Sequence, residues 1–443
     1  MLLHIGMDDT DSPTGGCTTH IAVMMVEKLL DIGVRFMDYP NLLRLNPNVP
    51  WKTRGNGAVC LRVELDEEKI PVVKNLVLDL VEQYAEFDCD NTNPGIVFHS
   101  GGVPEGMMEF SDRVVSQVVK LEEALHVVDE VGCEAVGFKN RRGLIGATAA
   151  VGGLQRGDYT YELLTYRTPE NWGTLRRLDE VSVWRMDEES TGTFNNVDNE
   201  SKRVLIAPHG PDPVMYGVRG ETPKSVYSAV REIVPLEPVE RWAIFRSNQG
   251  TDAHLKKVSQ IRDMKSMNPV ITSGRVLDEP RTITGGHVIY KISDETGSVD
   301  CAAYEPTGSL RNTVRKLRVD DEITVYGGLR EEKGRLTVNT EKLRVNTVVE
   351  GFKLVNPQCP ECSGSMESMG RNKGYRCRHC GYRDGKLSKV KIHVERGLKP
   401  GLYMPPPGAQ RHLAKPEVRL GREKAGKYSY RPLVDPWFGI GEV

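Results

Sequence analysis

The sequence of 443 residues lacks any run of about 18 apolar residues, the length that a membrane-spanning helix needs. Its first residues, MLLHIGMDDTD, lack the basic start and the small-residue cleavage site of a secretory signal. The net charge is also close to zero, because 59 Lys and Arg residues are nearly balanced by 61 Asp and Glu residues. Any nucleic-acid-binding surface therefore requires local segregation of charge. We expect a cytoplasmic protein with several globular domains.

Cysteine is sparse, with nine residues, and five of them are scattered singly: Cys17, Cys60, Cys89, Cys133 and Cys301. The other four form two CxxC pairs, Cys359 with Cys362 and Cys377 with Cys380. In a reducing compartment such a cluster favours metal binding over disulfides. Four thiolates complete a tetrahedral zinc site with no position for water, so the pattern predicts a structural zinc ribbon over residues 352–386.

The first 128 residues predict an α/β or α+β domain. LLHIG and GAVCLRVEL have the apolar pattern of strands, and THIAVMMVEKLLDIG has apolar residues at helical spacing. KIPVVKNLVLDLVEQYAEF predicts one or two helices, and DRVVSQVVKLEEAL predicts another. The start of the chain thus has the order strand, acidic glycine-containing loop and helix.

A ferredoxin-like domain is predicted for residues 129–255. RVLIAPHG and PVMYGVRGE predict strands, PKSVYSAVREIV predicts a helix, and ERWAIFRSN predicts the next strand. A helix between two strands is the βαβ element of ferredoxin-like folds, although the same string also fits other α+β sheets.

Residues 266–348 differ in character, since five short β-type runs are separated by turn-rich spacers. One helical segment, GSLRNTVRKLRV, falls between the third run and the fourth. This is the order of an OB-fold β-barrel, whose open face commonly binds single-stranded nucleic acid. A structural barrel without a ligand is the alternative.

The C-terminal tail, residues 387–443, is basic. Twelve Lys and Arg residues face three acidic residues between positions 386 and 431, which predicts a phosphate-binding tail. Aromatic residues that offer stacking faces accompany them: Tyr428, Tyr430, Trp437 and Phe438. On charge alone, a solvated tail without a ligand is the alternative.

The densest group of functional residues is MDDTDSPTGGCTTH, which follows the first predicted strand. Asp8, Asp9 and Asp11 offer the hard oxygen ligands that Mg²⁺ prefers. The adjacent glycines permit close backbone approach, and the residues after them open a helix towards an anion. These features predict a site for ATP and magnesium whose phosphates are held by the loop residues Thr10, Gly15, Gly16, Cys17, Thr18 and Thr19.

This loop is not a Walker P-loop, since no Gly-Lys-Ser/Thr follows the glycines. An acidic turn followed by a threonine N-cap is the alternative interpretation.

Three further segments carry weaker signals. PWKTRGNGAV places Lys52 and Arg54 in a loop suited to phosphate or a base, with a plain β-turn as the alternative. KNRRGLIGA sets Arg141 and Arg142 before an apolar run, and a solvated turn is an equal alternative. APHGPDPVMYGVRGE suits either a binding site or a surface loop, and it contributes His209, Asp212, Tyr216, Arg219 and Glu221.

Taken together, these segments resemble the archaeal tRNA-isoleucine 2-agmatinylcytidine synthetase family, TiaS. The resemblance rests on GMDDTDSPTGGCTTH, LLRLNPNVPWKTRGNGAV, GFKNRRGLIGA, APHGPDPVMYGVRGE, RSNQGTDAH and PPPGAQRHLAKP, and on the order of OB-fold and ribbon. It covers nearly the full length. It implies four parts: a kinase-like domain that binds ATP, a ferredoxin-like domain, an OB-fold and a zinc ribbon.

The resemblance also implies a reaction. ATP phosphorylates the 2-carbonyl oxygen of the wobble cytidine in a CAU-anticodon isoleucine tRNA, and the amine of agmatine then displaces the phosphate. Phosphoryl transfer needs positioning and charge neutralisation, so the resemblance assigns Asp8, Asp9 and Asp11 to magnesium and ATP. Thr18 matches a threonine of the family's kinase motif that is proposed to take phosphate itself.

Agmatine carries a guanidinium and an amine, so its pocket needs a carboxylate and other acceptors. Asp212, Glu221 and Tyr216 are the candidates for this agmatine or cytidine site, with His209 and Arg219 beside them. The OB-fold, the ribbon and the basic tail are expected to hold the body of the tRNA. The residues expected to contact the tRNA near the base are Lys52, Arg54, Asn56, Arg141 and Arg142.

The main rival is a non-catalytic protein whose OB-fold and zinc ribbon bind single-stranded nucleic acid. The acidic loop argues against it, because clustered carboxylates repel phosphate unless a metal intervenes. A second rival is an ATP-dependent kinase or ligase for another nucleic acid or a small molecule, whose activity would not depend on agmatine.

Overall fold

The computed structural model describes residues 1–154, 156–255, 258–425 and 429–443. Within these residues the chain forms an eleven-stranded sheet flanked by helices, a β-barrel and a small cysteine-rich ribbon. The predicted multidomain α+β architecture with a barrel and a four-cysteine ribbon is confirmed. In the described part of the chain, every helix is too short or too polar to cross a membrane.

The N-terminal half of the large sheet has helices on both faces, and its first strand is buried for that reason. The first two helices cover one face and the next three cover the other. Its elements are β1 (Leu2–Asp8), α1 (Thr18–Asp31), β2 (Arg35–Phe36), β3 (Asn41–Arg44), β4 (Gly57–Glu64), α2 (Ile70–Tyr84), β5 (Gly95–Ser100), α3 (Glu105–Ser116), α4 (Leu121–Val131), β6 (Glu134–Gly137) and α5 (Gly143–Gly152).

The second half of the sheet contains the predicted βαβ element. Strands β11 and β12 both pair antiparallel with β7, so they run parallel to each other on either side of it, with α7 as their connection. Its elements are β7 (Thr160–Arg167), α6 (Glu180–Glu189), β8 (Thr193–Phe194), β9 (Val197–Asp198), β10 (Arg203–Val204), β11 (Val214–Gly220), α7 (Pro223–Val230) and β12 (Val239–Ser247).

One parallel contact joins the two halves. Arg246 and Ser247 at the end of β12 pair with Asn41 and Leu42 of β3. The two units therefore share a continuous sheet, with strand order β6-β5-β1-β4-β3-β12-β7-β11-β8. This join holds residues of both halves in fixed positions around one cavity.

The barrel is closed by a parallel contact between β15 and β17, at Cys301 and Val338. A helix follows the third barrel strand, as predicted, and the interior forms a separate apolar core. Its elements are β13 (Pro269–Thr282), β14 (Val288–Asp294), β15 (Gly297–Ala303), α8 (Gly308–Val314), β16 (Glu322–Glu332) and β17 (Arg335–Thr347).

The ribbon projects from a two-stranded stalk formed by its first and last strands. The chain then returns, pairs with β17 through β23 and ends on β12 through β24. The strands are β18 (Gly351–Val355), β19 (Met366–Ser368), β20 (Tyr375–Cys377), β21 (Arg383–Asp384), β22 (Val390–Val394), β23 (Gly401–Tyr403) and β24 (Phe438–Ile440). Short 3-10 helices occupy connections at Glu67–Lys69, Pro169–Asn171, Ile261–Asp263, Glu305–Thr307, Pro407–Ala409 and Glu417–Arg419.

Three details differ from the sequence predictions. The single helix expected in DRVVSQVVKLEEAL is two helices, because the backbone is extended at Gln117 and the Glu123 side chain caps the Lys120 N–H at 3.0 Å. Only Arg203–Val204 of RVLIAPHG forms a strand, which pairs with β9, although Leu205 N–H still donates to the Asn196 carbonyl at 2.8 Å. Strand β6 pairs with β5, so the first unit extends beyond the predicted boundary at residue 128.

Candidate active site

The acidic loop opens into a cavity of about 340 Å³ that lies between the two halves of the large sheet. Asp8 ends β1, and Asp9 turns the chain with a left-handed φ of 60°. The carboxylates of Asp8, Asp9 and Asp11 all line this cavity, and so does Thr18 at the start of α1. The strand, loop and helix order predicted from sequence thus places acids and a helix N-terminus around one space.

Helix α5, which contains the apolar GLIGA segment, lies against the end of β1, and two glycines of this segment make the close approach possible. A Cβ at Gly146 would lie 1.9 Å from Oδ2 of Asp8, so only glycine leaves room for that carboxylate. A Cβ at Gly143 would lie 2.4 Å from the backbone N of Gly95 on β5. Small residues on this helix therefore permit the close packing that shapes the acidic end of the cavity.

Two arginines neutralise two of the three aspartates. Arg142 Nη2 lies 2.9 Å from Asp9 Oδ2, and Arg54 Nη2 lies 2.9 Å from Asp11 Oδ2. Arg54 also donates to the carbonyl of Gly16 at 2.5 Å, which ties its loop to the acidic loop. Both side chains were predicted from sequence to lie near the base, and the structure brings both into this cavity.

The third aspartate, Asp8, enters no ion pair with the residues that the structure describes. Burial and then repulsion from Asp9 raise the pKa of Asp8 well above its ordinary value. Burial also raises the pKa of Asp9 and of Asp11, although Arg142 and Arg54 oppose the shift. A buried carboxylate without an ion-pair partner at this end favours a bound cation.

Thr18 lies at the first residue of α1, where backbone N–H groups are unpaired within the helix. Its hydroxyl is 2.9 Å from the hydroxyl of the buried Thr10. Cys17 and Thr19 also line the cavity, and the Cys17 Sγ lies 3.0 Å from the Thr19 hydroxyl. The N-terminus of α1 therefore presents both amides and hydroxyls to the cavity.

The two glycines of the loop face a different cleft. Gly15 and Gly16 line a second space of about 480 Å³ together with Glu86 and Trp172. Gly16 has a φ of 71°, and a Cβ there would lie 2.7 Å from the Glu86 side chain. These glycines shape the tight turn and are not brought to the wall of the first cavity.

The remaining predicted residues divide into two groups. Lys52, Asn56, Asp212 and Arg219 line the first cavity. Asp212 is held by Arg176, with Nη2 and Oδ1 3.2 Å apart, and lies 3.5 Å from Arg54 Nη1.

The other four predicted residues lie outside this cavity. Arg141 is exposed, and Tyr216 is buried in the apolar core of the sheet. His209 contacts Arg203, with Nε2 and Nη2 2.8 Å apart. Burial raises the pKa of Glu221, but hydrogen bonds from Arg419 and Lys424 outweigh burial and lower it. This carboxylate therefore belongs to an ion-pair cluster with these two residues.

Part of the basic tail packs against the rest of the protein, and its binding of phosphate stays a prediction. Arg411 pairs with Glu341 at 3.1 Å, and Lys415 pairs with Glu423 at 2.7 Å. Trp437 packs in the core of the large sheet. The charges were spaced like a solvated tail, but the chain uses several of them to bind its own acidic residues. The predicted members Lys427 and Tyr428 lie outside the described residues.

Three residues that the sequence interpretation missed line the same cavity: Arg44, Glu162 and His412. Glu162 accepts from Arg219 Nε at 3.0 Å, and Arg219 Nη2 contacts His412 Nδ1 at 2.9 Å. A lone carboxylate in the apolar strand TYELLTYR was a usable signal for Glu162. Nothing local in the sequence indicated that the tail returns to the cavity.

The four cysteines of the ribbon come together as predicted. Their sulfur atoms lie within 4.8 Å of one another, with Cys359 and Cys380 at 3.5 Å and Cys362 and Cys377 at 3.5 Å. Four thiolates at these separations fit tetrahedral zinc. Among the described residues, this is the one set of three or more such ligands that is already gathered so closely.

Family models match four successive segments of the chain. They are described as the TiaS TCKD domain (residues 4–140), the TiaS FLD domain (141–254), an OB-fold nucleic acid binding domain (270–346) and the TiaS C-terminal zinc ribbon domain (356–398).

Whole-chain relatives agree with these models. The tRNA-isoleucine 2-agmatinylcytidine synthetase TiaS of Methanocaldococcus jannaschii is 42% identical over 427 residues, which cover 94% of this chain and 98% of that protein. The crystal structure of TiaS in complex with its isoleucine tRNA and ATP matches with a TM-score of 0.84 and 39% identity, covering 97% of this chain and 99% of the other. A complex of TiaS with the same tRNA, AMPCPP and agmatine matches with a TM-score of 0.81 and 38% identity, covering 95% and 97%.

Proposed function

The chain belongs to the TiaS family of tRNA-isoleucine 2-agmatinylcytidine synthetases, and on that premise we propose which of its residues carry the reaction. It is an ATP-dependent tRNA-modifying enzyme that uses agmatine. We propose that it acts in the cytoplasm, where tRNA is found. The observation that supports the assignment is the single cavity in which three aspartates, the N-terminus of α1 and a cationic loop converge.

The chemistry requires two displacements. The 2-carbonyl oxygen of the wobble cytidine attacks a phosphorus atom of ATP, and the oxygen–phosphorus bond forms as the bond to the ATP leaving group breaks. The amine of agmatine then attacks C2, a proton leaves the nitrogen, and the original carbonyl oxygen departs with the phosphate. The first step requires the protein mainly to position two substrates and to stabilise negative charge.

Asp8, Asp9 and Asp11 form the acidic end, where the triphosphate of ATP enters with its magnesium. Asp8 fits a cation ligand because it forms no ion pair with the described residues and its space is preserved by Gly146. Magnesium bound there supplies neutralisation of the phosphate charge. Asp9 and Asp11, held by their arginines, keep the loop in place around it.

Thr18 and Thr19 direct hydroxyls and helix N-terminal amides towards the same phosphates. The hydrogen bond between Thr10 and Thr18 fixes the orientation of the Thr18 hydroxyl. Thr18 corresponds to the family threonine that is proposed to take phosphate, and its place in the cavity wall supports that role.

The loop of Lys52, Arg54 and Asn56 forms the wall beside the acidic end, which suits a cytidine that has left its stack. Asp212 is the agmatine candidate that lines the cavity, since it offers a carboxylate on the same wall as Arg54. The positions of His209, Tyr216 and Glu221 do not support a direct contact with agmatine.

An isotope experiment tests the phosphorylation step. The purified protein is incubated with ATP, magnesium, agmatine and tRNA that carries ¹⁸O at the 2-oxygen of the wobble cytidine. The proposal predicts that the label appears in inorganic phosphate at one atom per modified cytidine. Label in AMP would show activation by adenylyl transfer, and label in water would show that the amine displaces the oxygen without prior phosphorylation; either result contradicts the proposal.

A further inference from the structure

Beside the carboxylates, the cavity carries a cluster of cationic and hydrogen-bond-donating side chains, of which the reaction proposed above uses only Lys52. It consists of Arg44, Lys52, Arg219 and His412, contributed by β3, a loop, β11 and the C-terminal tail. Four separate parts of the fold deliver these groups to one wall. We call this set the cationic cluster.

Arg44 is held in place by its backbone. Asn248 accepts from the Arg44 N–H at 2.8 Å and donates to the Arg44 carbonyl at 2.9 Å. A Cβ added at Gly55 would lie 2.5 Å from Nη1 of Arg44 and 3.5 Å from Nε2 of His412. The glycine therefore leaves the space in which Arg44 and His412 come together.

The charges of the cationic cluster are under-compensated. Glu162 contacts Arg219 at 3.0 Å and also accepts from Gln249. Arg44 and Lys52 form no ion pair with the residues that the structure describes, and the buried Nε of Arg44 has no hydrogen-bond partner there. A buried guanidinium donor without a partner is costly, so an acceptor is expected from outside the chain.

The state of His412 agrees with this picture. Its Nδ1 accepts from Arg219, so Nε2 carries the proton and can only donate. The positive charge of Arg44, then burial, then Arg219 and Lys52 lower the pKa of His412 well below its usual value. The imidazole is neutral, and it adds a donor to the cluster without adding another charge.

We infer that Arg44, Arg219 and His412, with Lys52 beside them, form a phosphate-binding subsite of the catalytic cavity. Planar guanidinium donors suit the oxygens of a phosphate, and the low dielectric of a cavity strengthens each contact. This inference rests on the proposed function, because that function supplies two phosphate sources. One is the phosphodiester next to the wobble cytidine, and the other is the triphosphate of ATP.

The experiment compares Arg44→Gln with wild type and with the control Arg35→Gln, whose side chain is exposed and pairs with Glu64. Two assays are run. The first measures the affinity for a non-hydrolysable ATP analogue without tRNA. The second measures kcat/KM for the CAU-anticodon isoleucine tRNA that carries a neutral methylphosphonate at one of the two phosphates flanking the wobble cytidine.

For the RNA source, the wild type and Arg35→Gln lose about tenfold in kcat/KM on one methylphosphonate tRNA. Arg44→Gln is expected to show the same loss in kcat/KM already on unmodified tRNA and no further loss on the methylphosphonate tRNA. Its affinity for the ATP analogue should be unchanged. For the ATP source, Arg44→Gln binds the analogue about tenfold more weakly and keeps the methylphosphonate effect. Normal behaviour of Arg44→Gln in both assays overturns the subsite.

Two further variants test the same subsite. His412→Gln, which keeps a donor and leaves Arg44 intact, is expected to reproduce a smaller loss of the same type, and Arg44→Lys is expected to restore part of the affinity. If Arg44→Gln fails to fold, a wild-type response from His412→Gln in both assays overturns the subsite. Absence of any cytidine adduct with wild type would refute the proposed function, whereas the affinity for the ATP analogue would still test the subsite.

Discussion

Arg419 in the tail binds both carboxylate oxygens of Asp158, with Nη1–Oδ2 at 3.1 Å and Nη2–Oδ1 at 3.0 Å, and its side chain is 1% exposed. It also donates to Glu221 and to the carbonyl of Gly250. A positive charge buried this completely is stable only with its partners in place. The tail is therefore fastened to the large sheet at the position from which it delivers His412.

This relationship predicts the effect of Arg419→Met on stability. Removing the buried Arg419 leaves Asp158 and Glu221 with Lys415 and Lys424 as their remaining cationic partners, and the loss of the buried ion pairs costs about 3 kcal/mol in the free energy of unfolding. Urea unfolding followed by circular dichroism measures the loss. The control is Arg422→Met at an exposed position of the same segment, where we expect little change. Equal stability of the two variants would show that the clamp contributes nothing.

Asp8→Asn is expected to remove catalysis and leave tRNA binding intact. The substitution keeps the shape of the side chain and removes the carboxylate charge that faces the phosphates, so kcat should fall about a hundredfold or more. Formation of modified cytidine measures kcat, and a filter-binding assay measures tRNA affinity. Asp31→Asn on the exposed end of α1 is the control. Parallel loss of tRNA affinity in Asp8→Asn would argue against a role confined to ATP.

Gly146→Ala is expected to displace the Asp8 carboxylate by direct steric contact. In an exposed helix position, replacing glycine by alanine stabilises by about 0.5–1 kcal/mol, and Gly106→Ala in α3 should do so because its Cβ meets nothing within 4 Å. At Gly146 the new Cβ collides with Asp8 Oδ2, so activity falls and the melting temperature drops. Equal gains in melting temperature for both variants would contradict the packing described.

Glu341 predicts a pH dependence of stability. This barrel residue pairs with Arg411 of the tail at 3.1 Å and accepts from His254 Nε2 at 2.9 Å. Burial raises the pKa of Glu341, but the nearby Arg411, His254 and Lys342 outweigh burial and lower the pKa to about 2, from an ordinary value of 4.5. Its contribution is therefore fully present above pH 4.5 and is lost as the pH falls towards 2.

The matching experiment measures unfolding of wild type and Glu341→Gln in urea between about pH 7 and pH 2. The wild type should be more stable at neutral pH, and the difference should shrink below pH 4.5. Glu331→Gln, at an exposed position of β16, should follow the wild-type curve. A difference that stays constant over the whole range would mean that Glu341 does not titrate as described.

The ribbon can be removed without disturbing the tail. Val355 and Val390 are paired at the open end of the stalk, so a short glycine linker can replace residues 356–389. The excised segment carries seven Lys and Arg residues, and its loss should weaken tRNA binding and flatten its salt dependence. Affinity for the ATP analogue should be unchanged. An unaltered salt slope would exclude the ribbon from the tRNA contact surface.

Local sequence patterns predicted those parts of the fold that depend on residues close together in the chain. The acidic loop after β1, the cysteine spacing and the strand order of the barrel each depend on neighbours in sequence, and each was predicted. Asp8 and Thr18 could be expected at the same cavity because one strand, one loop and one helix bring them together.

The rest of the site depends on contacts between distant residues. The pairing of β3 with β12 and the return of the tail to Arg219 join residues about 200 positions apart, and no periodicity encodes such contacts. The same reason explains why the ion pairs of the basic tail were not predicted. A count of charges along the chain contains no information on whether Arg419 meets water or Asp158.

The most direct test of the whole account is nucleoside mass analysis of CAU-anticodon isoleucine tRNA after incubation with the purified protein, ATP, magnesium and agmatine. The account predicts a cytidine adduct whose mass includes agmatine, formed at the wobble position and absent when ATP or agmatine is omitted. ATP consumption without this adduct, or tRNA binding without any turnover, would contradict it.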